Sequence, residues 1–338
     1  MSTLAEQLQK ILLNISQYYL IPIFIVGIFG NIFNGIVFSW STLRNNRCSL
    51  YFIISSMAQF FVLIFGCLFR IIVSLTGFDL NVSSLFICKF RTYLFVNGII
   101  LSRHFLCLIS IDRWMVTSTN VSIRNLSNLR MTRLLTIIST IIWLLFNIHL
   151  LIGFHIEHNS CTGNSETFYL SFFTFFSLFV SLAPLIILMI FTTLTLRNIT
   201  NGRLMRRRNQ AVHPAATVGV VLPTLYVVPQ QRQRRLRNQK NQLLRLSMIQ
   251  IIVYILPNIP NTMYTVYASI TANYNKTNDQ IVTDAFMNLM TSNLLYTYCA
   301  VIFFLYTLVS VTFRKECWSI CRRFQKKIRT IYRGSEQL

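Results

Sequence analysis

His155, Glu157, His158 and Cys161 fall within seven residues of one another, and two imidazoles with a thiolate at such spacing are able to ligate zinc. The same His and Glu are also ordinary on a wet loop. Cys161 has a second use, as the partner of Cys88 in a disulfide. Cys317 and Cys321, one helical turn apart, look like acylation sites, or else like small apolar residues at the headgroup level. Asp112 and Arg113 set opposite charges side by side, and Arg70 and Arg103 stand in long apolar stretches, where charge is costly and marks function by default. No P-loop, GxSxG or HExxH motif occurs, so nothing marks the hydrolytic chemistries those patterns carry.

The elements that position these residues are read from where charge is missing. The 338 residues are 54% hydrophobic and only 12% charged, against about 25% charged in soluble domains. Mean hydropathy is +0.54, which argues against an ordinary cytosolic enzyme. Stretches 11–43, 48–69, 134–156, 167–196, 246–275 and 285–313 carry no charge, and 92–111 is interrupted only by Arg103. About 20 apolar residues cross the hydrocarbon layer as a helix, which satisfies its own backbone. The expected fold is an all-α membrane protein: a seven-transmembrane helix bundle over 18–313, with spans near 18–40, 50–75, 92–112, 134–154, 168–196, 243–270 and 285–313. Residues 1–17 precede it, 197–242 form the third loop, and the tail 314–338 carries a short amphipathic helix. An eighth uncharged gap, 209–231, contains Pro214, Pro223 and Pro229. A proline inside a helix costs about 3 kcal/mol, so this gap reads as loop.

Orientation follows from basic residues, which stay with cytoplasmic loops. With the N-terminus outside, 25 of 31 Lys and Arg lie inside, four lie outside, and Arg70 and Arg103 lie within spans. The net charge of +22 is then a topology signature rather than a sign of nucleic-acid binding. It places the chain as a multi-pass protein of the plasma membrane with a cytoplasmic C-terminus, part of whose charge rests on the anionic inner leaflet. No cleavable secretion signal is expected in residues 1–17. Cys88, just before the third span, and Cys161, in the second outer loop, share an oxidising compartment, which favours the disulfide over the zinc reading. No cofactor or metal is expected. Sequons at Asn14, Asn81 and Asn275 fall outside and are open to glycosylation, whereas those at Asn120, Asn125 and Asn198 fall inside.

Specific spacings narrow this further. The first span carries Gly30-Asn31. The third begins at Cys88 and ends Asp112-Arg113-Trp114, with 25 residues from Cys88 to Arg113. Trp143 sits in the fourth span, Pro184 in the fifth, Pro257 and Pro260 in the sixth, and Tyr306 ends the seventh, with six residues between it and Phe313-Arg314-Lys315. In this order the chain resembles the rhodopsin-like (class A) G-protein-coupled receptors over nearly all of its length. The resemblance implies a receptor, not an enzyme, that binds an extracellular ligand and activates a heterotrimeric G protein. Arg113, paired at rest with Asp112, and Tyr306 would form the coupling switch. Ser49-Leu50-Tyr51-Phe52, Ser102-Arg103 and Phe313-Arg314-Lys315-Glu316 are similar to the invertebrate neuropeptide group, FMRFamide-type receptors included, which implies a peptide ligand.

Departures from the family pattern matter. Gln59 stands where the second span usually has aspartate, so a bound sodium ion lacks its anionic oxygen site. Ile302-Phe303 replaces the seventh-span Asn-Pro, and Thr192 stands where many relatives place tyrosine. Phe95 occupies the position of the aspartate that binds amines, and Tyr296 that of the lysine that holds retinal. A biogenic amine and a light-sensing role are both disfavoured. Arg70, Arg103, Gln59, Phe95 and Tyr296 remain as candidates to line the bundle interior or ligand cavity. Two other readings stand beside the peptide receptor. One is a chemosensory receptor for small hydrophobic molecules, which 28 Phe and 14 Tyr would permit. The other is a seven-span transporter or channel built on Gln59, Asn97, Ser102 and Arg103.

Overall fold

The computed structural model describes residues 7, 11, 14–40, 47–157, 160–164, 167–212, 230–271, 274 and 276–335, with side chains at all of these except 16, 47, 167, 203–212, 230–243, 312, 324 and 327–335. His158, Asn275 and the proline-containing stretch 213–229 lie outside them. Among the described residues, seven helices are long and apolar enough to cross a membrane. They are α1 (Gln17–Ser39), α2 (Cys48–Thr76), α3 (Leu85–Thr117), α4 (Leu129–Gly153), α5 (Thr167–Val212), α6 (Gln230–Ile270) and α7 (Asn278–Val309). A tail helix, α8 (Val311–Ser335), follows.

The helices close a ring in the order α1, α2, α3, α5, α6, α7 and back to α1, with α4 leaning on α2 and α3 from outside. In the most apolar window of α3, 56% of residues are buried inside the protein, against 17% for α4, so α3 is the axis. Outward residues such as Phe29, Ile137, Phe175 and Leu308 are apolar and exposed, as a hydrocarbon environment requires. Hydrocarbon gives no hydrophobic drive between helices, so small residues and interhelical hydrogen bonds hold them. Gly66, in a π-helical turn of α2 (Leu63–Leu68), is such a residue: an added Cβ would lie 2.4 Å from the Phe95 ring and 2.8 Å from that of Tyr296. Asn31 of α1 donates to the Gly27 and Cys299 carbonyls at 2.9 and 3.0 Å, tying α1 to α7.

Two ends of the bundle can be told apart. At one, β1 (Phe154–Glu157) and β2 (Ser160–Gly163) form an antiparallel hairpin pairing Ile156 with Cys161, and the Cys88–Cys161 disulfide pins it to the start of α3. There α2 stops at Gly77, whose φ of 69° lies in the left-handed region that favours glycine. At the other end Phe38, Phe52, Tyr306 and Phe313 pack ring against ring, with Phe38 at 4.8 Å from Phe52 and 5.3 Å from Tyr306. Through Phe313 this aromatic knot docks α8 onto α1 and α7.

The third loop differs from expectation at both edges. α5 continues to Val212 and α6 begins at Gln230, because the Arg- and Gln-rich flanks are good helix formers and keep their hydrogen bonds beyond the hydrocarbon. α3 likewise begins at Leu85 rather than near 92. The charge at Arg91 does not end the span: its guanidinium turns inward, and Nε donates to the Phe65 carbonyl at 2.6 Å.

Candidate functional site

At the end of α3 farthest from Cys88, Asp112 and Arg113 are 2% and 6% exposed, and Arg113 Nη2 lies 3.1 Å from Asp112 Oδ2. A buried carboxylate needs its lone pairs filled, and two other segments fill them. The Cys48 thiol, at the start of α2, donates to Asp112 Oδ2 at 2.8 Å, and the Ser127 hydroxyl, between α3 and α4, donates to Oδ1. Arg113 Nη2 also donates to Cys48 Sγ. The ion pair is therefore a clasp of four side chains. A buried pair resists separation until each charge is offered another partner. Beside it, Trp114 packs on Phe191 of α5, with centroids 5.3 Å apart.

Tyr306 sits across the core from this clasp. Its hydroxyl donates to Gln250 Oε1 of α6 at 2.8 Å, and Gln250 Nε2 donates onward to the Tyr298 hydroxyl at 3.4 Å. In mid-bundle, Arg103 is 4% exposed and donates to the Val180 carbonyl of α5 at 3.1 Å and to Asn258 Oδ1 of α6 at 3.3 Å. Asn258 lies between Pro257 and Pro260, both inside α6; lacking N–H groups, they leave the Val253 and Leu256 carbonyls without their usual helical donors. Pro184 lies inside α5, where its carbonyl accepts from the Cys107 thiol at 3.9 Å. Trp143 packs edge-on to His104 with centroids 6.1 Å apart, seating α4 on α3. Gln59 is buried in α2.

Toward the Cys88 end, a cationic crown closes the interior. Arg70 lies over the Tyr296 ring at 5.6 Å, and Arg91 over Phe95 at 5.1 Å and Phe69 at 5.5 Å. Phe95 and Tyr296 are themselves 6.5 Å apart. The Tyr296 hydroxyl and Arg70 Nη1 are buried with no hydrogen-bond partner, and among the described residues neither Arg70 nor Arg91 has a carboxylate within ion-pair distance.

The family described as 7 transmembrane receptor (rhodopsin family) matches residues 30–301. The chain belongs to that family. A comparison with curated proteins finds no match. Members of the family are receptors rather than enzymes; they take an extracellular ligand and signal through G proteins.

Within the receptor, Asn97 and Arg103 of the transporter reading are engaged with other helices, Ser102 with its own, and the Gln59 amide is buried without a hydrogen-bond partner. The Asn97 carbonyl oxygen accepts from Asn147 of α4 at 2.8 Å, Ser102 donates to Ile99 of its own helix, and Arg103 turns to α5 and α6. The zinc reading loses its thiolate to the disulfide, leaving His155 beside Glu157 at 3.3 Å. Among the described residues no three His, Cys, Asp or Glu are placed to hold a metal. Cys321 is exposed while Cys317 is half-buried, and burial pushes its thiol above the ordinary value. Asn14 is exposed, whereas the Asn81 amide is half-buried and donates to Asp79 at 2.6 Å. Lys276, beside Asn275, pairs with Asp284 at 2.6 Å, and that hydrogen bond raises the Lys276 pKa. Cys48, Ser127, Arg91, Gln250 and Asn258 escape a reading of the sequence. Gln250 and Asn258 alone leave a trace there, as polar residues inside an apolar stretch.

Proposed function

We propose that this receptor lies in the plasma membrane with its N-terminus and the Cys88 end outside, takes a peptide at that end, and activates a heterotrimeric G protein at the Arg113 end. Asp112, Arg113 and Tyr306 form the switch. The observation that carries this reading is the buried clasp, in which Asp112 holds Arg113 while Cys48 and Ser127 hold Asp112. Activation frees Arg113 toward an incoming segment of the G protein, and the low dielectric that binds the pair at rest makes the freed cation a strong acceptor-seeker. Arg70, Arg91, Phe95 and Tyr296 line the ligand side, and Gln59 and Arg103 hold the bundle polar network beneath it. Asn31, Trp143, Pro184, Pro257 and Pro260 serve the helix packing. Cys317 and Cys321 take acyl chains, Asn14, Asn81 and Asn275 are the glycosylation positions, and α8 rests its basic residues on the anionic inner leaflet, where each adds about 1 kcal/mol.

The domain limits follow: an extracellular 1–17, a receptor domain 18–313, and a cytoplasmic third loop and tail. The peptide class rests on the similarity to the invertebrate neuropeptide group. A peptide library screened in a calcium or cAMP reporter line tests it. A peptide that activates the wild type and not Arg113→Ala supports the reading. No responding peptide beside a clear small-molecule agonist overturns it in favour of a chemosensory receptor.

A further inference from the structure

Among the described residues Arg103 has no carboxylate within ion-pair distance. It sits near the middle of α3, about 27 Å along the axis from Leu85 and about 21 Å from Thr117 at 1.5 Å per residue. Its Nη1 and Nη2 donate to neutral acceptors on Val180 and Asn258, and its Nε is buried with no partner. His104 Nε2, next to it, is likewise buried and unpartnered. Asp112, the nearest acid in sequence, is nine residues away and held in its own clasp. A buried cation so placed is costly and seeks an anion.

Both side chains line a cleft of about 100 Å³ between α3, α4 and α5, closed by Cys107, Ala183 and Pro184 and bounded outward by Trp143 and Phe179. Trp143 and Phe179 also bound a second groove, of about 440 Å³, whose walls are Ile142 and Phe146 of α4 and Phe172, Phe175 and Phe176 of α5. Phe175 and Phe179 are 74% and 60% exposed, so this groove opens sideways onto the hydrocarbon face. A wide apolar trough thus adjoins a small cleft lined by Arg103 and His104, each of which keeps a buried nitrogen without a hydrogen-bond partner just behind the cleft wall.

We propose that this trough and cleft bind a long-chain fatty carboxylate from the bilayer, its acyl chain along the α4–α5 aromatics and its carboxylate on Arg103 Nε with His104 beside it. A phospholipid is the wrong occupant. Its headgroup stays at the interface, about 15 Å from the midplane of a 30 Å hydrocarbon layer, and is too bulky for a cleft of about 100 Å³. A carboxylate has the size and the charge. Because the same guanidinium reaches Val180 and Asn258, the bound anion reinforces the arrangement that ties α3 to α5 and α6.

The purified receptor in zwitterionic lipid nanodiscs is titrated with 9,10-dibromostearate, a contact quencher of tryptophan fluorescence, and with its methyl ester. Saturable quenching that is lost in Trp143→Phe is expected for the acid. Half-saturation should be about tenfold weaker for the ester and in Arg103→Gln, the worth of a hydrogen bond to a charged group, and Ala183→Phe, which fills the cleft, should weaken the acid as much. Equal binding of acid and ester, or wild-type affinity in Ala183→Phe, overturns the proposal and leaves a crevice for any acyl chain. Displacement of the acid by phosphatidylglycerol at equal mole fraction overturns it in favour of a phospholipid. Acid against ester in the wild type decides the matter if Arg103→Gln fails to fold. No signalling is measured, so a failure here leaves the receptor reading untouched.

Discussion

Cys48 is the residue on which the proposed switch turns. Its thiol bridges Asp112 and Arg113, and it lies 64 residues before Asp112 in the chain, too far for any local pattern to join them. Asp112-Arg113 itself was legible, since adjacent opposite charges at the end of an apolar stretch need no structure to be noticed. What the sequence withholds is which neutral side chains close around such a pair, because that depends on how helices are rotated against each other. A hydrogen bond to a charged group contributes about 1.5–3 kcal/mol. Cys48→Ala is therefore expected to raise ligand-free signalling by at least about tenfold, read in a reporter line at matched surface expression, while Cys48→Ser, which keeps a donor, stays near wild type. Unchanged output in Cys48→Ala would remove the thiol from the switch. The tail cysteines divide similarly by environment. Cys321 is exposed and Cys317 is half-buried with its thiol pushed up, and acylation needs an accessible thiolate. Metabolic labelling with a palmitate analogue should fall further in Cys321→Ser than in Cys317→Ser.

Elements were legible in number and order, less so at their ends. Hydrocarbon imposes the seven helices, since each backbone group must be satisfied within its own segment. Where a helix stops depends instead on caps and neighbours. α7 starts at a capping box in which Thr277 and Gln280 bond each other's backbone, and α5 runs on to Val212 because no proline falls in 197–212. The link between α6 and α7 shows the same division. Tyr306 is marked by its place at the end of a span, but its partner Gln250 emerges only when the two helices are packed. Tyr306→Phe removes the 2.8 Å bond and leaves Gln250 with a buried, unanswered oxygen. It should cost about 1–3 kcal/mol, seen as faster thermal inactivation of the purified receptor; Gln250→Leu combined with it should recover part of the loss, because the unanswered amide oxygen is then gone and only the longer 3.4 Å bond to the Tyr298 hydroxyl is given up.

For the whole molecule, the decisive asymmetry is charge. Twenty-five of the 31 basic residues collect at the Arg113 end and its loops when the N-terminus is placed outside, and the Cys88–Cys161 bridge closes the opposite end. Both were readable without coordinates, because positive charge and oxidised cysteine each report a compartment. Sugar should be found at Asn14, exposed on the N-terminal side, and never at Asn198 on the extension of α5. A glycosidase mobility shift on Asn14→Gln and Asn198→Gln proteins checks both. The interior chemistry was not readable in this way: Arg103 is visible as a buried charge, but the choice of Asn258 as partner, 155 residues on, belongs to the packed bundle.

The most direct measurement is guanine-nucleotide exchange on a panel of heterotrimeric G proteins, catalysed by purified receptor in nanodiscs with no ligand added. Exchange is expected to be fastest with Cys48→Ala, slower with the wild type and at the receptor-free rate with Arg113→Ala. Three equal rates at background, across every G protein in the panel, would contradict a switch built on Asp112 and Arg113.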